Sequence, residues 1–251
     1  MNFKLTVVSY HFVGKPLFPG LHTLAFEKFK RQLDHIQKNY AVISWPHLLR
    51  FFKDGTKLPE NPCLLTFDDG TKDHVARVAP ELTARGLTGL FFILGRSPED
   101  GLAFVHQVQY LTAQLGEDEF RLQFLNACDS ATRQLFAEKE KECLAAYPTS
   151  KYDSLQFRTF KRVIGKFMFS EARPVITQLF ETHIDDSTSF GKKLYLSDGD
   201  VRLLVAQGMH IGGHSVLHRW MTSLLPHERE DEIRKTKECL QKFGDGPYAF
   251  S

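Results

Sequence analysis

Cys63-Leu64-Leu65-Thr66-Phe67-Asp68-Asp69-Gly70 is an apolar run that ends in two adjacent carboxylates and a glycine. Cys63 to Phe67 is too short for a helix and reads as a strand of a parallel sheet, buried on both faces. Ligands of such sheets bind beyond the carboxyl ends of the strands, where Asp68 and Asp69 fall. Adjacent side chains on an extended backbone point opposite ways, so one carboxylate is free to hold a metal while the other holds a proton. Gly70 lets the chain turn sharply towards the next helix. Taken alone, the pair reads equally well as a solvated turn that caps that helix.

A second stretch shifts the balance. Met209-His210-Ile211-Gly212-Gly213-His214-Ser215-Val216-Leu217-His218 is again a short strand running into glycines, and it delivers imidazoles at i and i+4. On one turn of helix, or across a tight strand-to-helix turn, both rings face one point. Asp69 with His214 and His218 makes a three-ligand set suited to zinc or a similar divalent ion, with one position left for water.

Thr66-Phe67-Asp68-Asp69-Gly70 followed far downstream by His214-Ser215-Val216-Leu217-His218 resembles the polysaccharide deacetylase family, the NodB-homology domains of carbohydrate esterase family 4, whose first motifs read TFDDG and HSxxH. The resemblance implies that Asp68 is a general base and that Asp69, His214 and His218 ligate a divalent metal, zinc being preferred. It also implies a distorted (β/α) barrel. Tyr10-His11 resembles the circularly permuted branch, such as the poly-N-acetylglucosamine deacetylases, in which the acid histidine precedes TFDDG; on that resemblance His11 takes the general-acid role. Without it, a histidine beside aromatics is more often a hydrogen-bonded core or loop residue.

The sequence departs from the family after its second motif. The third, an aromatic-proline-aromatic-glycine stretch, is not found before the sequence stops at Tyr248-Ala249-Phe250-Ser251. The expectation is a barrel of five or six strands that is C-terminally incomplete, unless the permuted arrangement supplies the lost part from the N-terminal side.

Composition fits one such domain over residues 1–251. A chain of 251 residues with 42% hydrophobic content can bury a full core. A net charge of +2, with basic and acidic residues interleaved, gives no reason to expect nucleic acid. No apolar run approaches the ~18 residues of a membrane span, and Met1-Asn2-Phe3-Lys4 leads into a strand rather than a signal segment. Cys63, Cys128, Cys143 and Cys239 lack metal-site spacing and read as reduced thiols of a cytoplasmic protein.

Around these motifs the elements follow in order. Leu5 to Phe12 reads as the first strand, Phe26 to Tyr40 and Trp45 to Phe52 as amphipathic helices, and Leu87 to Leu94 as a buried strand after a helix marked by Val75, Val78 and Leu82. Trp45 reads as a core aromatic before a sugar platform. Residues 95–193 then carry helical stripes, a helical insertion between two strands that belongs over or beside the site mouth as a lid or substrate-shaping part, with homodimer formation the competing role. His106, near its start, reads as a surface or packing residue before one that reaches the site. Ser197 caps a helix to Gln207, a charged helix runs from Pro226 to Phe243, and Pro247 to Ser251 opens another strand. Trp220 and Met221 wall the site or pack the next helix, and Ser215 steadies a ligand or its water.

The expected function is a metal-dependent hydrolase that removes an acetyl group from an N-acetylated sugar or glycan. The competing reading is a non-catalytic or truncated deacetylase-like protein that binds glycans or serves as a scaffold. A phosphatase of the haloacid-dehalogenase type needs Asp at i and i+2, and Gly70 occupies i+2 from Asp68.

Overall fold

The computed structural model describes residues 4–144 and 153–251. Met1 to Phe3, read as the lead into the first strand, and positions 145–152 of the helical stretch lie outside the described residues. Five strands form one parallel sheet: β1 (Thr6–Tyr10), β2 (Ala41–Val42), β3 (Pro62–Phe67), β4 (Leu90–Ile93) and β5 (His210–Gly213). The helices are α1 (Phe26–Asn39), α2 (Trp45–Asp54), α3 (Ala79–Ala84), α4 (Phe104–Leu115), α5 (Glu117–Ala127), α6 (Ser130–Leu144), α7 (Leu155–Arg162), α8 (Phe169–His183), α9 (Ser187–Leu194), α10 (Asp198–Ala206) and α11 (Pro226–Leu240).

The apolar run that ends in the two carboxylates is β3, and each of its residues is buried. It pairs with β1 from Thr6↔Cys63 to Tyr10↔Phe67 on one edge. Its other edge takes β2 at Pro62 and Cys63 and β4 at Thr66 and Phe67. β5 then pairs with β4 from Leu90↔His210 to Ile93↔Gly213. This register matters for the site, because all strands point the same way and end at one rim. His11, Asp68 and His214 each follow directly on the last residue of a strand.

Local signals agree with the elements they punctuate. Ser44 accepts a hydrogen bond from the His47 N–H at the start of α2, and Gly55 ends that helix in the left-handed conformation at φ 75°. Ser197 and Asp200 form a reciprocal capping box on α10. Phe29, Leu33 and Ile36 line the buried stripe of α1 and meet Tyr10, Leu65 and Phe67 of the sheet. Trp45 is half-buried and donates through Nε1 to the Pro247 backbone oxygen at 3.0 Å, a packing role.

β1 alternates between buried and open positions, with Val7 53% exposed, as an edge strand does. On the far side, the last residues run beside β5: the Gly213 N–H donates to Ala249 O at 2.9 Å and the Ser251 N–H to Gly213 O at 3.0 Å. Among the described residues β1 and β5 are not paired with each other, so the sheet is an open arc. Between β4 and α10 the described residues are largely helical, and α4 to α9 bury a core of their own in which Phe120, Phe124, Phe157, Phe160 and Phe180 are almost fully enclosed. Each such ring contributes roughly 1.5–3 kcal/mol of burial free energy. Phe120 and Phe160 meet edge-on at 5.3 Å and 87°. Among the described residues, no helix is long and apolar enough to cross a membrane.

Candidate functional site

The turn after β3 fixes where its carboxylates point. Asp69 takes φ 74° and Gly70 φ 64°, so two left-handed residues in succession reverse the chain. For a residue with a Cβ this costs on the order of 1–2 kcal/mol, and such strain clusters at functional sites. A Cβ on Gly70 would stand 3.2 Å from the Cα of Ile93, so a larger residue would crowd the end of β4. His218, at φ 54°, shares the left-handed conformation with Asp69, as does Ser215 at φ 56°.

Asp69 is 2% exposed, and its Oδ1 lies 3.1 Å from His218 Nε2 and 3.4 Å from His214 Nε2. The two imidazole nitrogens are themselves 3.1 Å apart. A tetrahedral ion with bonds of 2.0–2.1 Å separates its ligand atoms by about 3.3 Å, so these three atoms have the spacing of one face of such a site. His214 Nδ1 lies 3.0 Å from the Ser251 backbone oxygen; donating there leaves Nε2 with its lone pair towards Asp69 and His218, the arrangement a metal ligand needs. The residues present therefore fit a divalent metal. The segment from His214 to Trp220 is a loop, not a helical turn.

Electrostatics keep the centre anionic. Burial works against the Asp69 charge, but the surrounding histidines, His106 first and then His214 and His218, hold its carboxyl well below the usual carboxylate range. Burial also pushes His218 down, and the hydrogen bond and charge of Asp69 outweigh that and raise it.

Asp68 faces the other way, as adjacent residues at a strand end should. Ser9 Oγ donates to its Oδ2 at 3.0 Å, and His11 Nε2 stands 3.8 Å from the same oxygen. Asp68 Oδ1 is buried without a hydrogen-bond partner among the described residues. The His11 ring is more than half exposed, at the rim. Its backbone is tied to the TFDDG turn, because His74 Nε2 donates to the His11 carbonyl oxygen at 2.9 Å and the Val13 N–H donates to Asp73. The five residues named from the sequence thus fall into one metal-sized cluster, Asp69, His214 and His218, and one neighbouring pair, Asp68 and His11.

For His106 the structure favours the lesser of the sequence readings, the one that reaches the site. It is neither on the surface nor a packing residue alone: it is wholly buried, with Nε2 3.2 Å from Asp69 Oδ2 and Nδ1 2.6 Å from Tyr195 Oη. The first turn of α4 carries it there, and no motif marks it. Glu232 was missed. From α11 its carboxylate accepts from the N–H groups of Val216 and Leu217, inside the loop between His214 and His218. Ser215 accepts from the His218 N–H at 3.0 Å and so steadies the backbone of that residue. Trp220 lines a cavity of about 610 Å³ with Phe104, Val105, Phe169, His218 and Arg219, so the helical layer reaches the site.

No protein-family profile matches the sequence, and no curated protein matches it. Solved structures do match. Streptococcus pyogenes deacetylase PplD in complex with acetate is similar over 100% of this chain and 74% of its own, with TM-score 0.54 and 12% identity. A de-N-acetylase from Aggregatibacter actinomycetemcomitans is similar over 98% of this chain and 78% of its own, with TM-score 0.51 and 13% identity. Through these likenesses and its parallel sheet, the chain has the fold of the NodB-type deacetylases.

Proposed function

We propose that this protein is a metal-dependent carbohydrate de-N-acetylase, a hydrolase that removes the acetyl group from an N-acetylated sugar or glycan. The observation that carries the reading is the division of labour at one rim. Three donor atoms from Asp69, His214 and His218 have the spacing of a metal face, and beside them a second carboxylate, Asp68, keeps an unpartnered buried oxygen next to His11. The deacetylase-like fold is in keeping with it.

When bound, a divalent ion at Asp69, His214 and His218, zinc being preferred for this nitrogen-rich set, supplies a Lewis-acidic open position that acidifies water and polarises a carbonyl oxygen. Asp68 Oδ1 takes a proton from the attacking water, while the Ser9 hydroxyl holds Oδ2 and fixes the carboxylate plane. The water oxygen bonds to the acetamido carbon and the C–N bond breaks. His11, protonated, gives its proton to the departing nitrogen, so the products are acetate and an amine. His74 and Asp73 keep His11 over the carboxylate by holding the backbone around it. The cavity at His218 has apolar walls and an arginine, Arg219, stacked over Phe169 at 4.9 Å, and offers room for the sugar beyond the reacting group.

The test pairs metal content with acetate release from N-acetylglucosamine oligomers, on the chain as it stands. Bound metal with acetate release is the expected result. Bound metal without release from any oligomer would overturn the catalytic reading in favour of a glycan-binding role.

A further inference from the structure

The mechanism above gives His106 no step, yet the fold places it with care. Its ring is fully enclosed on the first turn of α4, edge-on to Phe12 at 5.8 Å and to His218 at 5.9 Å. Its Nδ1 meets Tyr195 Oη at 2.6 Å, and that oxygen already accepts the Ala103 N–H at 3.0 Å. Tyr195 is stitched in turn to the segment that carries Asp69: it bridges Thr71, and the Leu196 N–H donates to Gly70 O at 2.8 Å.

These contacts select one tautomer. A phenol has one hydrogen, and giving it to Nδ1 leaves the imidazole hydrogen on Nε2, directed to Asp69 Oδ2. The opposite tautomer would set a lone pair against a carboxylate and leave the phenol hydrogen to find another buried acceptor. The 3.2 Å contact to Oδ2 is bent from the ideal line, so it acts mainly as a dipole facing a charge.

We infer that His106 is a positioning residue for the metal carboxylate: its Nε2–H, oriented by Tyr195, holds Asp69 Oδ2 so that Oδ1 stays turned on His214 and His218. Oδ2 is the oxygen directed away from those two imidazoles, which distinguishes the role from ligation; among the described residues the converging donor set is Asp69, His214 and His218. A helical layer that, among the described residues, contributes no ligand thereby helps to set the metal affinity. The inference rests on the metal reading above.

The experiment measures zinc affinity of the chelator-stripped chain by competition with a chromophoric chelator, beside the melting of the metal-free protein. His106→Gln and His106→Met have similar volumes, but only glutamine offers an N–H. The methionine variant should bind zinc about 10–100-fold more weakly than the parent, and the glutamine variant should recover most of that loss. Equal affinity in the two variants, whether both unchanged or both lowered, overturns the inference. Should the methionine variant fail to fold, Tyr195→Phe decides, since it removes the tautomer lock and keeps the ring; unchanged zinc affinity there overturns it as well. A parent chain that binds no zinc overturns instead the metal reading on which this one stands.

Discussion

Glu232 and Val216 join α11 to the loop that carries His214 and His218: the Val216 N–H donates to Glu232 Oε2 at 2.6 Å, and the Leu217 N–H donates to the same oxygen at 3.2 Å. The loop between His214 and His218 is irregular and two of its residues are left-handed, so its shape depends on such outside partners. Glu232→Ala strands both N–H groups. Unfolding stability should fall by about 1–3 kcal/mol in denaturant titration, with weaker zinc binding, and Glu232→Gln, which keeps an acceptor oxygen, should fall less.

The two adjacent aspartates should separate cleanly by substitution. Asp69→Asn and His214→Ala remove converging donors and should each lose stoichiometric zinc in metal analysis. Asp68→Asn leaves that set intact, so it should retain zinc while acetate release drops about 10²–10⁴-fold. An Asp68→Asn protein with full turnover would remove the base assignment.

His11 is more than half exposed and 3.8 Å from Asp68, outside the metal cluster. His11→Ala should therefore keep zinc and stability and lose about 100-fold in turnover on an amide. An activated acetyl ester, whose leaving group needs no proton, should suffer less. Equal losses on both substrates would count against an acid role.

The metal-free protein should be most stable near the unperturbed histidine pKa. His106 and His210 are depressed, each by burial, so the stability they contribute is present above about 6.5 and is lost as pH falls towards their folded values. His218 is raised, so its contribution is full below about 6.5 and is lost as pH rises through its folded value. Thermal melts of chelator-treated protein across pH should show that maximum. His210→Gln should soften its acid side.

Gly213 closes β5 under α11, where an added Cβ would stand 2.4 Å from Thr236 Cγ2 and 3.3 Å from Leu240 Cδ1. Helix and strand would have to part just before His214. Gly213→Ala should cost about 1–3 kcal/mol of stability and weaken zinc binding with it, read by urea titration and by chelator competition.

Much of this molecule was legible in its sequence. Local physics suffices for β3 and β4, because a short wholly apolar run has only the interior of a parallel sheet to occupy. Side-chain alternation at a strand end separates Asp68 from Asp69 before any coordinates are known. The i, i+4 spacing of His214 and His218 lets both rings face a common point, and Ser197 caps its helix where its chemistry says it should.

What tertiary structure alone decided is how those pieces meet. The parallel register brings His11, Asp68 and His214 to one rim from strands far apart in the chain. Periodicity places His106 on a helix but cannot say what that helix packs against, and only the approach of α4 to the TFDDG turn sets its Nε2 on Asp69. Glu232 read as one charge among many on a polar helix, and becomes a loop anchor only because Gly213 lets α11 close over β5. The physical reason is the range of the forces: pattern, capping and strand alternation act within a few residues and are written locally, whereas a buried hydrogen bond between distant segments exists only once packing has chosen its neighbours.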